Sequence, residues 1–168
     1  MSLMYSEIFI SGVSGSGKSR VAEYLSERNR DYIFIDSDKF HYKYFKREMI
    51  RGNAIPERAR RSYVTRIVRH LKSIKRENFK FFCDASLIRS RDRWYIRRNF
   101  PDAKIFFLDP DFFILKKRLI RRKGHFAKIS LLSSQLASLQ RHSFIDHKIS
   151  IPTENARVLE VILRKLNI

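Results

Sequence analysis

The chain is predicted to be an α/β protein, a three-layer sandwich built on a five-stranded parallel sheet. Three observations predict it. Short apolar runs alternate with amphipathic segments, the pattern of strands joined by helical crossovers. A glycine-rich stretch, Gly12-Val13-Ser14-Gly15-Ser16-Gly17-Lys18-Ser19, falls between the first such run and the first amphipathic segment. Acids close the second and third runs, at Asp36 and Asp84, and in such sheets ligands bind at the carboxyl ends of the strands.

A length of 168 residues suits one domain with a real core, and 14 phenylalanines suit dense packing rather than disorder. Residues 1–168 are taken as a single unit, with Met4 as an alternative start to Met1. The one cysteine, Cys83, leaves no internal disulfide framework and points to a reducing, cytoplasmic setting. No apolar run approaches the ~20 residues of a membrane span, and no secretory signal pattern is seen. Lys and Arg number 36 against 17 Asp and Glu, a net charge of +19. The cations fall on most helices rather than in one tail, as on a solvated basic surface. Their field still draws polyanions, so weak nucleic-acid binding without sequence preference is expected.

In chain order, residues 7–11 are the first strand and 20–29 a helix, with Val21, Tyr24 and Leu25 on one face. Residues 31–36 are the second strand, followed by a helix over 39–50 that Arg51-Gly52-Asn53 ends. The helix over 57–77 buries Val64, Ile67, Val68, Leu71 and Ile74, and its other faces carry cations, Arg60 among them. Residues 79–84 form the third strand, 88–100 an arginine-rich helix and 104–108 the fourth strand. Asp109 is the expected N-cap of the next helix, with Pro110 at its first position and Phe112, Leu115 and Leu119 facing inward. Helix 129–140, strand 148–151 and helix 153–166 complete the alternation.

The glycine-rich stretch fits the phosphate-binding pattern G-x-x-x-x-G-K-[ST], in its required place between strand and helix. The backbone of Gly12, Ser14, Gly15, Ser16 and Gly17 would cradle the phosphates of ATP. Lys18 would reach the β/γ-phosphates, and Ser19 would hold Mg²⁺. Asp84, a strand-end acid, and Asp36 would support the Mg²⁺ shell, and Asp38 would orient or deprotonate an acceptor hydroxyl. Arg118 and Arg122, four residues apart on one helix face, would cover the transferring phosphate when a lid over about 118–130 closes.

These residues resemble the gluconokinases, small P-loop kinases similar in fold to shikimate and nucleoside monophosphate kinases. Their G-V-S-G-S-G-K-S is identical to residues 12–19, and their L-D-G-D-x-x-H is similar to Ile35-Asp36-Ser37-Asp38-Lys39-Phe40-His41. Their K-M-x-x-G resembles Glu48-Met49-Ile50-Arg51-Gly52. The lid pattern R-L-x-x-R-x-x-H-F, then L-L-x-S-Q, resembles residues 118–126 and Leu131-Leu132-Ser133-Ser134-Gln135. The resemblance covers most of residues 5–165. It implies a P-loop nucleoside-triphosphate kinase fold with a helical lid, an acceptor-binding helical insert over about 39–77, and transfer of phosphate from ATP to a sugar acid, gluconate first. It further implies His41, Arg60, Arg89 and His125 as acceptor contacts beside Asp38, and a homodimer.

Departures fall in the acceptor region. Where the family has P-L-x-D-x-D-R-x-x-W-L, residues 54–64 keep Arg60 and an aromatic, Tyr63, but lose most acids. Where it has C-S-A-L-K, Cys83-Asp84-Ala85-Ser86-Leu87-Ile88 lacks the lysine unless Arg89 replaces it, and Lys148 stands in a normally more acidic, apolar strand. Asp84-Ala85-Ser86-Leu87 with Arg91, Arg93 and Trp94 is loosely similar to a stretch of polynucleotide 5′-kinases. A polynucleotide 5′-hydroxyl kinase, a shikimate-like kinase and a non-catalytic nucleotide- or RNA-binding protein are therefore the alternatives.

Overall fold

The computed structural model describes residues 5–121, 129–140, 143–151 and 158–166. Five strands form one sheet in the order β2-β3-β1-β4-β5, all parallel: β1 (Glu7–Gly12), β2 (Tyr32–Asp36), β3 (Lys80–Ala85), β4 (Lys104–Pro110) and β5 (His147–Ile151). The central strands read as continuous apolar runs because helices cover both faces; Ile8, Phe9 and Ile10 in succession are fully buried. The helices are α1 (Lys18–Arg28), α2 (Lys43–Arg51), α3 (Glu57–Arg76), α4 (Ser90–Asn99), α5 (Phe112–Arg121), α6 (Ile129–Ala137) and α7 (Val158–Lys165).

Two apolar layers sandwich the sheet. On one face α3 and α4 pack with Phe9, Phe81 and Ile105. Here Phe9, Phe81 and Phe100 meet edge-on or tilted, with centroids 5.6–6.2 Å apart, a favourable aromatic geometry. On the other face α1 and α7 pack with Ile8, Ile10 and Phe106. A third cluster joins Val13 of the glycine-rich loop to Met49, Leu115, Leu119, Leu131 and Leu132. It seats that loop between α2, α5 and α6 at the carboxyl edge of the sheet.

Four expectations change. The second strand leads first into a 3₁₀ turn, Ser37–Phe40, and α2 starts only at Lys43. The Asp36 side chain accepts the Asp38 N–H at 3.0 Å, a local turn that competes with helix. The N-cap of α5 is Asp111, whose Oδ1 accepts from Phe113 N–H at 2.9 Å. Asp109 and Pro110 belong to β4, in register with Ser150 and Ile151, and Asp109 pairs with Lys148 at 2.9 Å. Phe112 is 43% exposed, and Ile114 takes the inward place beside Leu115 and Leu119. Arg60 does not lie on an outer face of α3 but is buried. Residues 152–157, where the last helix was expected to start, lie outside the described residues.

Candidate active site

The phosphate loop leaves β1 at Gly12, where φ is +153° and a Cβ would come within 2.5 Å of Ser16 Oγ and 2.8 Å of the Leu108 carbonyl oxygen. Only glycine allows that approach. Gly17, at φ +94°, precedes α1 without a side-chain cap, and the first turn of α1 carries no acid. Its N–H groups and the positive end of the helix dipole are thereby kept for an anion. Ser16 Oγ is buried without a hydrogen-bond partner among the described residues. Ser14 N–H donates to Gln135 Oε1 at 2.7 Å, tying the loop to α6. Arg118 on α5 reaches over the loop, its Nη1 3.2 Å from the Ser16 carbonyl oxygen and 3.4 Å from that of Gly15.

Beside the loop, β2 and β3 run in register and bring Asp36 opposite Asp84. Asp84 is 1% exposed, and its Oδ1 accepts Ser37 N–H at 2.7 Å. Its Oδ2 is buried with no hydrogen-bond partner among the described residues. Burial pushes its carboxyl up to about 6, against the pull of Lys18, Ser19 and the Ser37 amide toward the charged form. A carboxylate oxygen held dry beside the loop Lys and Ser suits a divalent cation, to which a kinase site gives one or two carboxylates and leaves the rest to phosphate and water. Among the described residues no group of three or more His, Cys, Asp and Glu forms a metal cage, and none is needed for that chemistry. Asp36 spends Oδ1 on the Asp38 amide.

The acceptor side is a cleft lined by Lys18, Asp38, His41, Arg60, Tyr63 and Gln135, with Ser14, Ser86 and apolar Met49, Ile55 and Leu131. His41 stacks on Tyr63 with centroids 3.9 Å apart and planes 3° from parallel. Burial lowers the His41 pKa to about 4, more than Asp38 raises it, so the ring is neutral at pH 7. The Tyr63 hydroxyl lies 2.6 Å from Ser37 Oγ, and burial holds its pKa well above the ordinary phenol value. Arg60 is 9% exposed, and its Nε has no hydrogen-bond partner among the described residues. Burial lowers its pKa while Asp92, from α4, raises it. Asp92 is itself buried, its Oδ2 without a hydrogen-bond partner among the described residues, a carboxylate beside a guanidinium that lines the cleft.

Lys18, Asp38, His41 and Arg60 thus converge. Arg89 instead pairs with Glu57 at the start of α3 and is not among the residues that line the cleft. Arg93 is fully buried; its Nη1 and Nε donate to the Leu87 and Ser143 carbonyl oxygens at 2.6 Å each, and its Nη2 to that of Gln140. Of the stretch similar to polynucleotide 5′-kinases, Arg93 is therefore an internal clamp. Arg122 and His125 lie outside the described residues. Sequence reasoning missed Ser37, Tyr63, Ser86, Gln135 and Asp92 as site residues. For Asp92 a signal existed: it is the lone acid in an arginine-rich helix.

Residues 8–143 match the AAA domain family. The thermosensitive gluconokinase of Escherichia coli is 31% identical over 176 aligned residues, which cover 96% of this chain and 91% of that protein. The chain belongs to the gluconokinase family. The gluconokinase of Sinorhizobium meliloti superposes with a TM-score of 0.84 at 27% identity, covering 99% of this chain and 94% of that one. A sugar kinase from Janibacter superposes at 0.85 with 25% identity, covering 98% and 95%. As a member of this family the chain is a P-loop, ATP-dependent kinase acting on an alcohol group. No helix of the described residues is long and apolar enough to cross a membrane.

Proposed function

We propose that the chain transfers the γ-phosphate of ATP to the terminal hydroxyl of gluconate, giving 6-phosphogluconate. The observation that carries this is the cleft itself: a buried Arg60, its Nε without a hydrogen-bond partner among the described residues, lines it together with Asp38 and the phosphate-loop lysine. A small acid with a hydroxyl at its far end matches that arrangement, carboxylate toward Arg60 and hydroxyl toward Asp38. Asp38 takes the hydroxyl proton as the oxygen attacks phosphorus, and neutral His41 holds a neighbouring hydroxyl. Lys18 and Arg118 balance charge on the phosphates, and Arg122 and His125 complete a lid over about 118–130.

Ser19 and Asp84 would hold Mg²⁺, with Asp36 in support, and the cation would offset charge on the phosphates of ATP. A cytoplasmic setting is supported by the lone, buried Cys83. A homodimer is retained on the family resemblance alone.

ADP release with gluconate, shikimate, other sugar acids and 5′-hydroxyl oligonucleotides tests the acceptor. Gluconate should give saturable turnover and the oligonucleotides none. Turnover with the oligonucleotides alone would transfer the site to the polynucleotide-kinase alternative. Within the cleft, Arg60→Gln should raise KM for gluconate by about 10–100-fold, the value of hydrogen bonds to a charged group, and leave KM for ATP unchanged. Steady-state kinetics with each substrate varied separately checks this.

A further inference from the structure

Most of the 36 Lys and Arg behind the +19 charge lie outside the kinase site, and the structure does not spread them evenly. On the face of the sheet covered by α3 and α4, a row of exposed cations runs along each helix. Arg58, Arg69, Lys72 and Arg76 lie on α3, and Arg91, Trp94 and Arg98 on α4, at spacings of three, four, seven or eleven that return to the same side. Neither helix exposes an acid. Glu57 is half-buried among Arg61, Arg89 and Arg91, and Asp92 is buried. On the opposite layer α1 and α7 are mixed: α1 exposes Glu23 and Glu27 beside Arg20 and Arg28, and α7 exposes Glu160 beside Arg164 and Lys165, while the cations exposed on α5, Lys116, Lys117 and Arg121, lie on the helix that covers the phosphate loop.

We propose that the outer face of α3 and α4 binds single-stranded nucleic acid, with phosphates along the arginine stripes and a base stacked on Trp94. A one-signed field fits a polyanion. The length of α3, 20 residues or about 30 Å, spans several nucleotides. Trp94 distinguishes the partner. It is 44% exposed between Arg91 and Arg98, with the Arg98 guanidinium 5.4 Å from the ring centroid, an aromatic set among cations as in sequence-tolerant single-strand binding. An acidic bilayer would need more: a surface-lying helix buries a broad apolar face, and Trp94 is the only large apolar side chain exposed on either helix. The face is separate from the cleft, so this inference does not depend on the acceptor.

Trp94 is the sole tryptophan of the chain, so its fluorescence reports the contact directly. Oligo(dT) of about 20 nucleotides, longer than one ~4–16-nucleotide footprint, should quench it, and inorganic polyphosphate should not. Trp94→Ala should weaken anisotropy-measured binding about tenfold with the salt slope kept. The triple variant Arg69→Glu, Lys72→Glu, Arg76→Glu should weaken it at least as much and flatten the slope by about 2, at roughly 0.7 per phosphate contact. The charge-matched triple on the other layer, Arg28→Glu, Arg164→Glu, Lys165→Glu, should do neither. All of these variants should keep wild-type gluconate kinetics, which also shows that they fold. The inference is overturned if oligo(dT) leaves Trp94 unquenched, if the two triples weaken binding alike, or if phosphatidylserine vesicles bind the α3/α4 face as tightly as oligo(dT) at equal salt.

Discussion

Asp84→Asn should give a protein that is more stable than wild type without nucleotide and nearly inactive with it. Both effects have one origin. The Asp84 carboxyl is buried beside the phosphate loop, and its pKa rises from 3.8 to about 6. A raised carboxyl pKa means that the folded protein holds the proton more tightly than the unfolded chain does. Stability therefore falls as pH rises from about 4 to about 6, and at pH 7 the full cost of the buried charge is present. That cost is about 3 kcal/mol at most for the rise given. Asparagine keeps an oxygen for the Ser37 amide, 2.7 Å from Asp84 Oδ1, and removes the charge. At about 2–4 °C per kcal/mol, the melting temperature at pH 7 should rise by several degrees, and the wild-type loss between pH 4 and 6 should flatten. Turnover should drop by at least about 10²-fold, because a neutral amide no longer supports the divalent cation. Thermal melts across pH, paired with ADP release, check both halves. A variant that melts earlier and works normally would make Asp84 an ordinary strand-end carboxylate.

Lys18→Ala should cost turnover about 10²–10³-fold, by analogy with the loss of one preorganised contact to developing charge. The backbone of Gly12 to Gly17 shapes the cradle without the lysine side chain, so the circular dichroism spectrum should stay that of wild type. Lys18 is also the largest influence holding the Asp84 carboxyl toward its charged form. Its loss should push the Asp84 pKa further up and steepen the decline of stability with rising pH. Near-normal turnover in a folded Lys18→Ala protein would remove the phosphate loop from the mechanism.

How much of this was legible in the sequence depends on whether a signal was local. The phosphate loop, the strands and the strand-end acids Asp36 and Asp84 were, because each is written in a few adjacent residues. The burial of Arg60 was not, although it sits one turn before Val64 and Ile67 on the buried side of α3. Periodicity puts it inward, but a buried guanidinium makes sense only once the cleft and Asp92 are assembled around it. Asp109-Pro110-Asp111 offered two N-caps. Pairing of Asp109 and Pro110 with β5 took them into the sheet and left Asp111 to start α5. Whether the cations were spread or gathered was not readable either. The crossovers put α3 and α4 on one face of the sheet and α1 and α7 on the other, a choice set by strand order rather than by any one helix.

The central claim is chemical: phosphate moves from ATP to the primary alcohol of gluconate. Phosphorus NMR of a reaction with ATP, Mg²⁺ and gluconate tests it most directly, because a phosphate ester on a methylene carbon is split by its two protons. A new monoester triplet should grow in step with ADP and be absent with Asp38→Asn. ATP left intact, or ADP accompanied only by the unsplit signal of inorganic phosphate, would contradict it.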